Sequence, residues 1–258
     1  MKRFLPSTTL ALTVFLSAYP AHAAQPFEIS TLLGTGNARM PFVQEVVRSH
    51  VRMVPGDNVA DFTTGVLYFA WKNGARSVQT IQVLQDEGYA TLDDAKTAID
   101  LASSNSAIVI SPLGGTDFEE LCAKMAEKQN TAFLISLGGV GYTLSPFFTK
   151  CASRNILFVT VLNPELTGLG EFASYGPLVR LAVPGVELSA PVDQDRSASF
   201  LSDGFGMAVA AGKLTEFLRR NPSLQGAALL SGFLHEAEVL PSLRGKITGA
   251  RAITKFAR

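Results

Sequence analysis

Residues 107–137, AIVISPLGGTDFEELCAKMAEKQNTAFLISL, carry two apolar runs with an amphipathic one between them. Ala107 to Ile110 and Ala132 to Leu137 are short and almost continuously apolar, the composition of strands that a sheet buries on both faces. Between them, Thr116 followed by Glu119 is a capping-box pattern, in which a hydroxyl and a carboxylate satisfy the first free amides of a helix. Phe118, Leu121, Cys122, Met125 and Ala126 then recur on one helical face. Strand, helix, strand in this rhythm predicts a right-handed crossover between parallel strands.

The pattern extends in both directions. Phe27 to Leu33 reads as a strand that ends at Gly34-Thr35-Gly36, and Val78 to Leu84 and Ile156 to Val161 read as further strands. Thr91 with Asp94 opens a helix whose inner face is Ala95, Ala98, Ile99 and Ala102. Ala210, Leu214, Phe217 and Leu218 make a later apolar stripe, closed by Pro222. The sum predicts an α/β chain: three layers, a mostly parallel sheet with helices on both faces. Ligand sites in such sheets lie beyond the carboxyl ends of the strands, so the glycine-rich stretches Gly34 to Gly36, Leu113 to Gly115 and Gly138 to Gly141 are the places to look. Without a repeat or a long linker, residues 24–258 read as one domain.

The first residues stand apart. Lys2 and Arg3 precede the apolar run Leu10 to Ala18, and Ala21-His22-Ala23 has small residues at both positions read by a signal peptidase. Residues 1–23 are therefore expected to be a secretory signal, and the chain to be exported to a periplasmic or extracellular space. The apolar run is shorter than the roughly 20 residues that span a bilayer, and no later stretch qualifies, so no stable membrane insertion is expected after cleavage. Without Lys2 and Arg3 the chain has 20 basic against 22 acidic residues, and nothing in that balance suggests a basic nucleic-acid-binding surface. Cys122 and Cys151 either pair in an oxidising compartment or stay separate as small buried apolar side chains; the sequence leaves both open.

Four segments, taken in order, resemble the subtilisin-like serine proteases. Ile29-Ser-Thr-Leu-Leu-Gly34-Thr35-Gly36 resembles the strand and D-T-G turn that carry the family's aspartate. Ile110-Ser-Pro-Leu113-Gly114-Gly115 resembles the S-L-G-G wall of the substrate groove, and Phe133-Leu-Ile-Ser136-Leu137-Gly138-Gly139-Val-Gly141 resembles the A-A-A-G-N-x-G segment of the oxyanion hole. Asp203-Gly204-Phe205-Gly206-Met207-Ala208 resembles the N-G-T-S-M-A turn of the nucleophile. Phe172-Ala-Ser-Tyr175-Gly176-Pro177 and Gly245 to Ala252 match further family stretches. The resemblance implies a subtilisin-like fold for residues 24–258, without a pro-segment.

It also implies a catalytic set, which this chain lacks. Carried over by position, the aspartate is Gly34, the histidine Val59, the serine Gly206 and the oxyanion donor Gly139. A triad needs a hydroxyl nucleophile, a base and an orienting carboxylate, and three glycines and a valine supply none of them. Beyond the signal the remaining histidines are His50 and His235, each read as a surface or packing residue. No cofactor is expected: the histidines and cysteines have no metal-ligand spacing, and Arg39 stands where the third glycine of a dinucleotide loop belongs. The paired carboxylates Asp93-Asp94 and Glu119-Glu120 sit at helix starts, where the helix dipole favours negative charge. Trp71 reads as core or groove wall.

The expectation is thus an exported subtilisin-like pseudoprotease, inactive as a serine endopeptidase. It would bind polypeptide by strand addition along Leu113, Gly114, Gly115, Ser136, Leu137 and Gly138. Two alternatives accompany it: a working endopeptidase of that family with a displaced triad, and a structural or assembly protein of the cell envelope. All three expect a polypeptide or protein partner, and none expects nucleic acid.

Overall fold

A computed structural model of the chain describes residues 27–33, 44–47, 57–82, 91–111, 118–136, 151–185, 188–193, 195–200 and 203–257. The strands are β1 (Phe27–Leu33), β2 (Gln44–Val47), β3 (Val78–Gln82), β4 (Ser106–Ser111), β5 (Ala132–Ser136), β6 (Ile156–Val161), β7 (Val179–Val183), β8 (Leu188–Asp193), β9 (Arg196–Phe200), β10 (Glu238–Val239) and β11 (Arg251–Ala252). The helices are α1 (Asp57–Lys72), α2 (Leu92–Asn105), α3 (Phe118–Glu127), α4 (Asp203–Arg220) and α5 (Gly226–Glu236).

Nine strands form one sheet in the order β10-β11-β7-β6-β5-β4-β1-β3-β2, parallel except for the short β10 at one edge. The pleat sorts its side chains into two cores. Ile29, Ile108, Ile110, Leu134, Leu157, Val159, Leu181 and Val183 face α1, α4 and α5. Leu32, Val109, Phe133, Ile135, Phe158 and Ala182 face α2 and α3. Successive residues alternate between the layers because the strand period is two, and a strand covered on both faces must be apolar at nearly every position. This is an α/β architecture with a mostly parallel sheet between two helical layers, as the sequence predicts.

Local signals explain the helices. Thr91 caps α2, its hydroxyl accepting from the Asp94 amide at 3.1 Å, and Ala95, Ala98, Ile99 and Ala102 form the buried face. In α3 the buried residues are Phe118, Leu121, Cys122 and Met125, with acids in its first turn as in that of α2. The capping residue expected at Thr116 lies outside the described residues. Lys124 and Lys128 meet Asp100 of α2 at 2.9 and 2.5 Å, which ties the helices together. Burial raises the Asp100 carboxyl, but the hydrogen bonds from Lys128 and Lys124 outweigh it and leave its pKa below the ordinary carboxylate value.

α1 lies beside α4, with the Phe69 and Phe205 rings 5.2 Å apart. It ends in a turn at Gly74, where φ of +128° excludes an ordinary side chain. Trp71, expected in the core or a groove wall, is 50% exposed on α1. It sits one residue off the buried face that Phe69 and Ala70 define, so the helical period turns it outward. Cys122 and Cys151 are joined in a buried disulfide with a Cα–Cα separation of 4.8 Å, pinning α3 to the segment that leads into β6. The C-terminal residues leave the sheet at Ala252, and Ile253 packs into the core beneath α4. The tail ends in a clasp: Asn73 donates to the Ala257 carbonyl at 3.1 Å and accepts from the Ala257 amide at 2.8 Å.

Candidate functional site

β1 lies between β3 and β4, and the chain reaches β4 from β3 by passing α2 over β1. α1 covers the opposite face. The chain goes on from β1 to β2 on one side and from β4 to β5 on the other, and in open parallel sheets the carboxyl edge between two such strands is where ligands bind. The strand ends nearest that point are those of β3, β1, β4 and β5: Gln82, Leu33, Ser111 and Ser136.

Ser111 is buried and stands opposite Ile135 in the β4–β5 register, and Ser136, half-buried, stands opposite Val159 of β6. Both serines take part in interactions. Of the other residues expected on this edge, Gly34, Leu113, Gly114, Gly115, Leu137, Gly138 and Gly139 lie outside the described residues, as does His50. Val59 falls in α1 and Gly206 in the first turns of α4, so the structure places both at helix beginnings. His235 is exposed in the last turn of α5, far along the chain from β1 and not gathered with Val59 or Gly206 in any described contact.

Gly206 is the informative position. It is buried, and a Cβ added there would stand 2.2 Å from the Pro184 carbonyl oxygen and 2.5 Å from the Val183 side chain. The backbone of α4 presses directly on the end of β7, and only a hydrogen fits between them. No side chain can be presented from this position without moving a strand end.

Two buried hydroxyls escaped the sequence reading. Thr31 of β1 and Thr63 of α1 are fully buried, and neither hydroxyl has a hydrogen-bond partner. Each shares a face with residues of the core beneath α1 and α4, Thr31 through Ile29 and Thr63 through Val66 and Leu67. Nothing in the sequence distinguishes them: threonine, like valine, is enriched in strands, so Thr31 looks ordinary in β1, and Thr63 is one of two adjacent threonines in α1. On the opposite face, Ser30 and Ser106 satisfy each other at 2.7 Å.

A cleft of about 440 Å³ opens elsewhere, between α4, α5, β10 and the C-terminal tail. Its charges are largely internally matched: Arg220 meets Glu236 at 2.7 Å and Lys213 meets Glu216 at 3.5 Å. The Glu236 hydrogen bond pushes the Arg220 guanidinium above its usual pKa. Among the described residues no group of histidine, cysteine and carboxylate side chains could hold a metal ion. No described helix is long and apolar enough to cross a membrane.

No family model matches the chain, and no curated protein matches it. Among solved structures, the A-subunit of the AB5 toxin from E. coli is similar, with a TM-score of 0.67 over 88% of this chain and 89% of that chain, at 15% sequence identity. At that identity the likeness shows the fold alone.

This finding corrects the resemblance to the subtilisin-like proteases. The structure that the chain is similar to bears the description of a toxin A-subunit. The physical reason lies in the motifs. Each quoted match is a few small or apolar residues around a glycine turn, and parallel α/β sheets in general end their strands that way. The subtilase description, the subtilisin-like pseudoprotease with its retained groove, the displaced-triad endopeptidase and the envelope component all give way with it.

Proposed function

We propose that this chain is an exported protein of toxin A-subunit type, which works as one component of an assembly with a second protein. The observation that supports it is the extent of the likeness: 88% of one chain overlies 89% of the other, a whole-chain correspondence rather than a shared fragment. The similar protein is an A-subunit, a chain defined by the assembly it belongs to.

Export fits the rest of the molecule. Residues 1–23 have the charged start, apolar run and small-residue cleavage site of a secretory signal. The Cys122–Cys151 disulfide suits an oxidising compartment outside the cytosol. The mature chain is expected to begin at Ala24 and to hold its helices and sheet in one domain.

The test uses the protein recovered from the exported fraction of cells that produce it. Intact-mass measurement is expected to give a chain starting at Ala24 with the disulfide formed. Size-exclusion chromatography with light scattering is expected to show it co-eluting with a second polypeptide in fixed ratio. A chain that elutes alone, before and after mild crosslinking, would overturn the assembly.

A further inference from the structure

We infer that Asn73-Gly74 is a self-reacting modification site, an asparagine–glycine step that closes to a cyclic imide and opens to aspartate or isoaspartate once the C-terminal tail lets go of it. The co-reactant is water, and the reaction does not depend on the assembly proposed above.

The step exists because the fold asks for each residue separately. Gly74 has φ of +128°, and a Cβ there would stand 2.4 Å from the Glu216 side chain and 2.9 Å from the Gly212 carbonyl oxygen of α4. Asn73 is buried, and its carboxamide is the group that holds residue 257. Together they make the one asparagine–glycine step in the sequence. That pair is the most prone to this chemistry, since a glycine amide has no Cβ to hinder its approach to the side chain before it.

In the folded chain each reacting group is occupied. Asn73 Nδ2 donates to the Phe69 carbonyl at 3.0 Å and to the Ala257 carbonyl at 3.1 Å, while Oδ1 accepts from the Ala257 amide at 2.8 Å. The Gly74 amide, which is the nucleophile, donates to the Trp71 carbonyl at 3.1 Å. The tail thus supplies two of the three bonds to the carboxamide. A terminal segment opens at less cost than the sheet, so tail release is the event that frees the side chain.

The chemistry then runs one way. The Gly74 nitrogen gives its proton to hydroxide and attacks Cγ of Asn73; the bond from Cγ to Nδ2 breaks, and ammonia leaves after taking a proton from water. Water opens the imide at either carbonyl, so that water is consumed, ammonia is released and nothing is oxidised or reduced. Aspartate at this position has no N–H to donate, and the carbonyl oxygens of Phe69 and Ala257 would face a carboxylate in a buried site. The clasp cannot re-form, and the chain keeps a covalent record of having opened.

Peptide mapping by mass spectrometry, on mature disulfide-bonded protein held at mildly alkaline pH, reads the conversion of Asn73. It is expected to be slow in the folded chain and fast in urea. Ala257→Pro removes one clasp donor and is expected to speed the folded chain's conversion by up to about tenfold, the effect of one hydrogen bond on the released population. Asn105-Ser106, at the end of α2, is the internal control and should not change. If it speeds as well, the variant has lost its fold, and a second variant decides. Asn73→Asp copies the product, and trypsin is expected to cut it after Lys255 several-fold faster than the unaltered chain, relative to its other cuts. Conversion as fast in the folded chain as in urea overturns the inference. So does a folded Ala257→Pro that converts no faster than the unaltered chain, or an Asn73→Asp tail as resistant as before.

Discussion

Gly206 tests the packing at the head of α4 most directly. With the Pro184 carbonyl 2.2 Å from where a Cβ would stand, Gly206→Ser cannot install a hydroxyl without pushing β7 and α4 apart. Overpacking of this kind costs typically 1–3 kcal/mol, so urea denaturation is expected to show a stability loss of about that size, and the variant is expected to gain no labelling by a fluorophosphonate probe. An unchanged midpoint would show that α4 and β7 are less tightly apposed than described. Thr31 argues in the opposite direction. Its buried hydroxyl has no partner, so the nearly isosteric Thr31→Val should leave stability equal or higher by about 1 kcal/mol. A clear loss would mean that the hydroxyl holds a bond after all. Neither feature is written in the residues themselves. A glycine in a small-residue run looks the same whether it turns a loop or lets a helix touch a strand.

The elements themselves were far more legible. β1 and β6 fall where the apolar runs begin and end, and the four inner residues of α2 were visible as a helical stripe, since period two and period 3.6 are imprinted by which side meets the core. The cap was legible too, and Thr91→Ala is expected to cost about 1 kcal/mol, read from the denaturation midpoint. Partnerships between distant segments were not, and the disulfide is the clearest case: two cysteines 29 residues apart carry no geometry. Replacing both with alanine is expected to lower stability by roughly 3–4 kcal/mol, the loop-closure entropy of a crosslink of that span. Asp100 links the same two helices by charge. Because its pKa is depressed in the folded chain, its contribution is present above the unfolded carboxylate value of about 3.9 and is lost as pH falls through the lower folded value. Asp100→Asn should therefore flatten the fall in stability below about pH 4, a small effect since the carboxylate is half in water. A midpoint-versus-pH curve that the substitution leaves unaltered would discount the link.

At the scale of the whole molecule, the sheet and its two helical layers followed from the alternation of segments, whereas the candidate site did not. The glycine-rich stretches at the carboxyl edge lie outside the described residues, and such short matches could not say which family of folds they belonged to. The outward-facing rings of Phe172 and Tyr175 follow no helical or strand period, and only their exposure in the folded chain reveals them. The tail clasp has a mechanical consequence. Asn73 grips both the amide and the carbonyl of Ala257, so a pull on residue 257 is carried straight into the end of α1. β11 lies against β7 a few residues earlier, so the same pull must strip a strand from the sheet before it reaches the core.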